Sequence, residues 1–180
     1  SSADMNITIT GGSQSDVITT GNGDDTFTGG SAADTFTIKG GANTITDLSD
    51  NGAADIVTLA AGATVVGTMT GAYTPTSATH NLGSAVADFE IVQGGSLALD
   101  LDLTTVTTAA TDGFTVTTAS SGDTIGSDGN DAITSTGTGT LLFTATATVA
   151  NTVTSSTAST VTINAAAQTS AVTQMGGTSN

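Results

Sequence analysis

The chain has 180 residues, which is enough for one domain or two small ones with a buried core. Sixteen acidic residues, nearly all of them Asp, stand against a single Lys and give a formal net charge of −15. This balance excludes binding to nucleic acid or to an anionic membrane surface, because the chain has almost no cationic groups to contact phosphates. No apolar run approaches the roughly 20 residues of a membrane-spanning helix. Cysteine is absent, so disulfides and thiolate metal sites are excluded.

The composition predicts an all-β fold. Thr and Val favour strands through their β-branched side chains, and the abundant Gly and Asn favour tight turns. Aromatic residues make up only 3% of the chain, so the core is expected to be thin. The preference for Asp over Glu indicates turns and hard-cation sites, because a short carboxylate can converge with backbone carbonyls on one ion.

A nine-residue frame runs without interruption from Gly11 to Thr46. Its four units read GGSQSDVIT, TGNGDDTFT, GGSAADTFT and IKGGANTIT. The sixth places hold Asp16, Asp25, Asp34 and Asn43, and the eighth places hold Ile18, Phe27, Phe36 and Ile45. Each unit predicts a turn followed by a short strand, so that two units complete one coil and the four eighth-place side chains form a core stack.

These units resemble the RTX nonapeptide repeat GGxGxDxUx, which implies a parallel β-roll, or β-solenoid, stapled by calcium. We expect Asp16 and Asp34 to share one calcium ion on one side of the coil, and Asp25 to pair with Asn43 on the other. The second site is weaker because it has a neutral corner. Asp24, next to Asp25, is a further candidate ligand. Gln14 and Ala32 stand where the repeat has glycine, and Ile38-Lys39 stands where it has Gly-Gly.

After Thr46 the frame breaks, but the sequence TDLSDNGAADIVTL continues with further Asp residues. Asp47, Asp50 and Asp55 are candidate calcium ligands, and a surface turn is the alternative. Ile56, Val57 and Leu59 are candidate core residues.

The segment 60–87 has a looser pattern, interpreted as a loop or a broken strand pair, with a structural or solvent-exposed role for His80 rather than a metal-binding or catalytic one. The sequence LALDLDL then alternates in the manner of a strand with a buried Leu face. Asp100 and Asp102 lie on its other face, either exposed or as calcium ligands.

A second repeat island follows at SSGDTIGSDGNDAIT, where residues 126–134 fit the nonapeptide. Its candidate calcium ligands are Asp123, Asp128 and Asp131. The stretch 137–173 alternates Thr, Ala and Val without any acidic residue, which predicts strands that need no calcium. Such low-charge strands leave edges that can pair with another chain, so self-association is expected. We divide the chain into a calcium-binding β-roll (1–59), a strand-rich middle with a loop at 73–83 (60–116), and the second island with its strands (117–180).

This combination of nonapeptides and Thr/Ala/Val strands resembles the calcium-dependent surface-layer proteins of Gram-negative bacteria. The resemblance implies an extracellular structural protein, exported by type I secretion, that folds on binding Ca²⁺ and assembles with itself into a layer, filament or biofilm matrix. A cell-surface polysaccharide is a further expected partner. The alternatives are a module of a large RTX adhesin and an ice-binding solenoid. No enzyme is expected, because the sequence has no HExxH, GxSxG or Cys nucleophile.

Overall fold

The computed structural model is an all-β solenoid of parallel strands, as the composition and the repeat predict. It describes residues 4–49, 54–76, 78–82, 88–93, 100–103, 114–118, 123–127, 132–135, 140–145, 151–155, 160–164, 172–175 and 178–179. Within those ranges no α-helix is present, and no helix suited to crossing a membrane was found.

The strands belong to three parallel sheets. The nine-stranded sheet contains β1 (Thr8–Thr10), β3 (Thr26–Thr28), β5 (Ala42–Leu48), β7 (Thr64–Met69), β9 (Phe89–Gln93), β11 (Thr115–Thr118), β13 (Ala132–Ser135), β15 (Asn151–Ser155) and β17 (Val172–Met175). The four-stranded sheet contains β2 (Val17–Thr19), β4 (Thr35–Ile38), β6 (Ile56–Leu59) and β8 (His80–Asn81). The five-stranded sheet contains β10 (Asp100–Leu103), β12 (Asp123–Ser127), β14 (Thr140–Ala145), β16 (Thr160–Asn164) and β18 (Thr178–Ser179).

Strand register in the first coils follows the nine-residue frame. Phe27 pairs with Ile9 on one side and with Ile45 on the other, and Ile18 pairs with Phe36. Each partner lies two units away along the chain, because the intervening unit forms a strand of the other sheet. Two units therefore complete one coil, as predicted.

The core is a column of apolar side chains inside the coils. Phe27, Phe36 and Ile45 are completely buried and Ile18 is nearly so, which confirms the predicted stack. The rings of Phe27 and Phe36 lie 6.1 Å apart and join the two sheets through a tilted contact. Each coil thus contributes few side chains to a thin interior.

The coil continues beyond the regular repeats. Val57 and Leu59 are buried while Ile56 is partly exposed, so two of the three predicted core residues face inward. The segment with the looser pattern contains β7, a full six-residue strand that pairs with both β5 and β9. Further along, Phe89 and Phe114 pack edge to face at 4.9 Å within the same core.

The predicted strands of the second half are present where the structure describes them. The LALDLDL pattern contains β10, and the Thr/Ala/Val stretch contains β14, β15 and β16 and the first half of β17. In the second island, Gly126 and Ser127 belong to β12 rather than to a turn, and Ile133 pairs with Val116 in the nine-stranded sheet. The parallel coil therefore extends across the island.

Replacing Phe36 with Ala is expected to cost about 3–5 kcal/mol of unfolding free energy, because the ring is fully buried and its loss leaves a cavity. The measurement is denaturant unfolding in saturating calcium. Val17→Ala is the control, since Val17 is 79% exposed one strand away and its loss should change stability by no more than about 0.5 kcal/mol. Equal effects of the two substitutions would contradict the inward orientation of Phe36.

Candidate metal centres

On one side of the solenoid, sixth-place carboxylates connect successive coils. The backbone N–H of Asp16 donates to Oδ1 of Asp34 at 2.8 Å, and the N–H of Asp34 donates to Oδ1 of Asp55 at 2.8 Å. We call Asp16, Asp34 and Asp55 the Asp34 ladder. The backbone carbonyls of its first two members also accept strand N–H groups from the following coil. The ladder therefore fixes one coil against the next at the point where each turn enters the four-stranded sheet.

Glycines of the third unit leave room for this ladder. A Cβ at Gly29 would collide with Oδ2 of Asp34, so a side chain cannot be placed there without displacing the carboxylate. Gly30 has a φ of 120°, which residues with a side chain rarely adopt, and its Cα faces the carbonyl of Gly12. Asp47 caps this turn, because its carboxylate accepts the N–H groups of Gly29 and Gly30 at 2.9 and 2.8 Å.

On the other side of the solenoid, a second ladder follows the same pattern. The N–H of Ile7 donates to Oδ1 of Asp25 at 3.0 Å, and the N–H of Asp25 donates to Oδ1 of Asn43 at 3.3 Å. We call Ile7, Asp25 and Asn43 the Asp25 ladder. The other carboxylate oxygen of Asp25, Oδ2, is buried without any hydrogen-bond partner. Asp24 next to it is exposed and accepts the N–H of Ala42 at 2.8 Å.

Three carboxylates in the ladders are buried without a counter-charge. Asp25, Asp34 and Asp55 are only 2%, 1% and 3% exposed, and the described part of the chain offers none of them a salt bridge. Burial raises the pKa of Asp55 to about 6, with smaller contributions from the charges of Asp34 and Asp47, against the lowering effect of two backbone N–H donors. Burial likewise raises the pKa of Asp34, and the charges of Asp16 and Asp47 add to the increase. The ladders therefore concentrate negative charge in the interior.

These residues fit a calcium ion. Ca²⁺ takes six to eight oxygen ligands, and the ladders offer carboxylates beside glycine turns rich in backbone carbonyls. The partnerless Oδ2 of Asp25 supports this assignment most directly, since a buried anionic oxygen is costly without a positive partner. Within the described residues, no three acidic or histidine side chains converge on one point, so turn carbonyls would supply much of the coordination. Asp16, Asp34 and Asp55 on one side and Asp25 on the other would hold the ions.

The other predicted ligands have different positions. Asp50, Asp128 and Asp131 lie outside the described residues. Asp123 begins β12, and its side chain is likewise outside the described part. The carboxylate of Asp47 accepts hydrogen bonds from the N–H groups of Gly29 and Gly30 and so caps a glycine turn.

Sequence analysis predicted Asp55 as a ligand but missed its place in the Asp34 ladder. It lies 21 residues after Asp34, whereas Asp34 lies 18 residues after Asp16. A local signal was available: residues 53–58 read AADIVT, close to the AADTFT of residues 32–37. A search that allowed three inserted residues would have found this additional unit.

Asp34→Ala is expected to raise the calcium concentration needed for folding at least about tenfold, since it removes both the charge that holds the ion and the acceptor for the N–H of Asp16. The measurement is a calcium titration followed by circular dichroism. Asp4→Ala is the matched control, because Asp4 is exposed and the same unit of charge is lost. A similar shift for both variants would show that only the overall charge matters.

In calcium-free buffer, stability is expected to increase as the pH falls from about 7 to about 5. The folded state holds a proton on Asp55 up to about pH 6, whereas the ordinary carboxyl value is 3.8, so ionisation of Asp55 between pH 5 and pH 7 costs on the order of 1 kcal/mol. The folded fraction at the two pH values, followed by circular dichroism, measures this effect. Asp55→Asn should flatten the dependence, and an unchanged pH profile in that variant would contradict the assignment.

Comparison with protein families gives one match. Residues 8–36 match the RTX calcium-binding nonapeptide repeat (4 copies). The matched region begins at β1 and includes Asp16, Asp25 and Asp34 of the two ladders. Comparisons with curated proteins and with solved structures gave no match. Residues 8–36 are therefore RTX calcium-binding nonapeptide repeats, and Ca²⁺ is the ion that their turns bind.

Proposed function

We propose that this protein is an extracellular structural protein that folds when it binds calcium and then assembles with copies of itself into a surface layer or filament. The observation that carries the calcium-dependent step is the buried carboxylate of Asp25, whose Oδ2 has no hydrogen-bond partner, together with the buried carboxylates of Asp34 and Asp55. Without a cation these charges oppose formation of the coil. With calcium they connect one coil to the next.

A difference in free calcium concentration across the cell envelope would make the protein fold outside the cell. If free calcium is about 1 mM outside the cell and a site binds at about 10 µM, each site adds about 2.7 kcal/mol of stability by mass action. Two or three sites then supply a large share of the 5–15 kcal/mol that is usual for a folded domain. In a cytosol with little free calcium the repeats would stay unfolded. RTX repeats are typical of proteins exported by type I secretion, in which an unfolded chain is an advantage.

Self-assembly is supported by the edges and the surface of the solenoid. Within the described residues β1 and β17 are the outermost strands of the nine-stranded sheet, and an uncovered parallel edge can accept a strand of another chain. Near β1, Met5 and Val17 are 72% and 79% exposed, although most large apolar side chains are buried. The proposed partner is another copy of the chain, with a cell-surface polysaccharide as a second candidate. The proposed role is not enzymatic.

A calcium-binding module of a large RTX adhesin is the alternative function. It shares the ladders and the coil but requires a separate ligand-binding domain elsewhere in a longer protein. The mass and the assembly state of the native material distinguish the two functions, because an adhesin module remains a monomer when calcium is present.

An ice-binding face is the less favoured candidate. Thr8, Thr26 and Thr44 follow one another in register on the nine-stranded sheet, which is the kind of array such a face needs. The column continues with Val66 and then Glu90, so the array ends after three strands. Thermal hysteresis measurements test this function directly, and we expect none.

Electron microscopy of the purified protein with and without calcium tests the main proposal. Ordered sheets or filaments are expected in millimolar calcium, and they should dissolve in chelator because the coils that carry the interfaces unfold. A calcium-saturated protein that remains monomeric at high concentration would contradict self-assembly. A folded coil that is indifferent to chelator would contradict the calcium-dependent step instead.

A further inference from the structure

Asn43 occupies the same place in its coil as the ladder aspartates, but its side chain ends in an amide instead of a carboxylate. Its Oδ1 accepts the N–H of Asp25, as Oδ1 of Asp34 accepts the N–H of Asp16. The hydrogen bond between coils is therefore the same in the two ladders. Where an aspartate has the anionic Oδ2, Asn43 has an Nδ2 group that can only donate.

The Nδ2 group of Asn43 is fully engaged by backbone carbonyls from two coils. It donates to the carbonyl of Gly40 at 2.8 Å and to the carbonyl of Thr64 at 3.3 Å. Gly40 belongs to the turn of the same unit, whereas Thr64 begins β7 in the following coil. Carbonyl oxygens of adjacent coils thus converge on one electropositive group, which is the arrangement that a cation between stacked turns requires.

Asp25 shows the contrasting condition one coil earlier. It is 2% exposed, Asn43 is 3% exposed, and both occupy the same position before the core residue. Oδ2 of Asp25 has no hydrogen-bond partner, so no group donates to this buried anionic oxygen. The boundary at Asn43 is complete in its hydrogen bonds without any ion.

We propose that the side-chain amide of Asn43 replaces a calcium ion at its turn, so that calcium dependence along the Asp25 ladder ends at Asp25. Asn43 then acts as a positioning residue that joins β5 to β7, and this replaces the ligand role predicted for it from the sequence. The proposal rests on the calcium-binding repeats alone and is independent of self-assembly. Failure of assembly would leave it unaffected.

The test uses three variants of the full chain. Asn43→Asp restores the carboxylate at this place, Asn43→Ala removes the amide, and Ala42→Asp adds the same charge at the exposed neighbouring position. The number of bound calcium ions is measured by titration calorimetry and native mass spectrometry with calcium chloride. Hydrogen exchange of the β5 and β7 amides, with calcium and with chelator, reports whether the two strands remain hydrogen-bonded to each other.

Asn43→Asp is expected to bind one more calcium ion per chain than the parent protein. Its β7 amides should lose protection in chelator and regain it in calcium, because a buried carboxylate then needs an ion. Asn43→Ala should bind the parent number of ions while its β5 and β7 amides lose protection equally in both buffers. Ala42→Asp should match the parent protein in both measurements.

Three results would overturn the proposal. The first is an Asn43→Asp variant that binds the same number of calcium ions as the parent protein and is no more sensitive to chelator. An Asn43→Asp variant that calcium does not refold would count equally against the proposal. The second is loss of one calcium ion in Asn43→Ala, since that would make Asn43 a ligand. The third is an additional ion in Ala42→Asp, since any added charge would then create a site.

Discussion

The hydrogen bond from a backbone N–H to the carboxylate of the next coil is the interaction on which this architecture depends. In the Asp34 ladder the bond recurs from Asp16 to Asp34 and from Asp34 to Asp55 with the same length of 2.8 Å. It satisfies a backbone donor in the turn, where no strand partner is available. It also buries the carboxylates that accept these hydrogen bonds. The negative charge of the same carboxylates must therefore be neutralised.

Burial and repulsion together couple folding to the cation. Asp34 and Asp55 lose hydration when the coils stack, and this burial raises the pKa of both carboxyl groups. A protein with more Lys or Arg would neutralise such carboxylates internally and fold without an ion. This chain has one Lys, and Lys39 is exposed. Neutralisation is thus left to the solvent, which is the physical basis for the proposed dependence on extracellular calcium.

The coil does not need the nonapeptide everywhere. Beyond the ladders, the sheet continues through β7, β9 and β11, with Phe89, Ile91, Phe114 and Val116 buried between the strands. Two kinds of coil therefore share one core: early coils that gain stability through ions at their turns, and later coils with larger apolar contacts in the described part. Asn43 is the last member of the Asp25 ladder, and its amide makes the contact between coils without an added charge.

Features that follow from fixed covalent spacing can be read from the order of the amino acids alone. Nine-residue units with an apolar eighth place dictate that Phe27 stacks on Ile45, and that Asp16 and Asp34 lie one coil apart, because every unit contributes the same length of turn and strand. The contacts across irregular steps are visible only in the folded coil. Asp55 joins the ladder over 21 residues, and Asn43 reaches Thr64 in the following coil. These pairings depend on how turns of unequal length fold back, and the spacing along the chain does not specify that path.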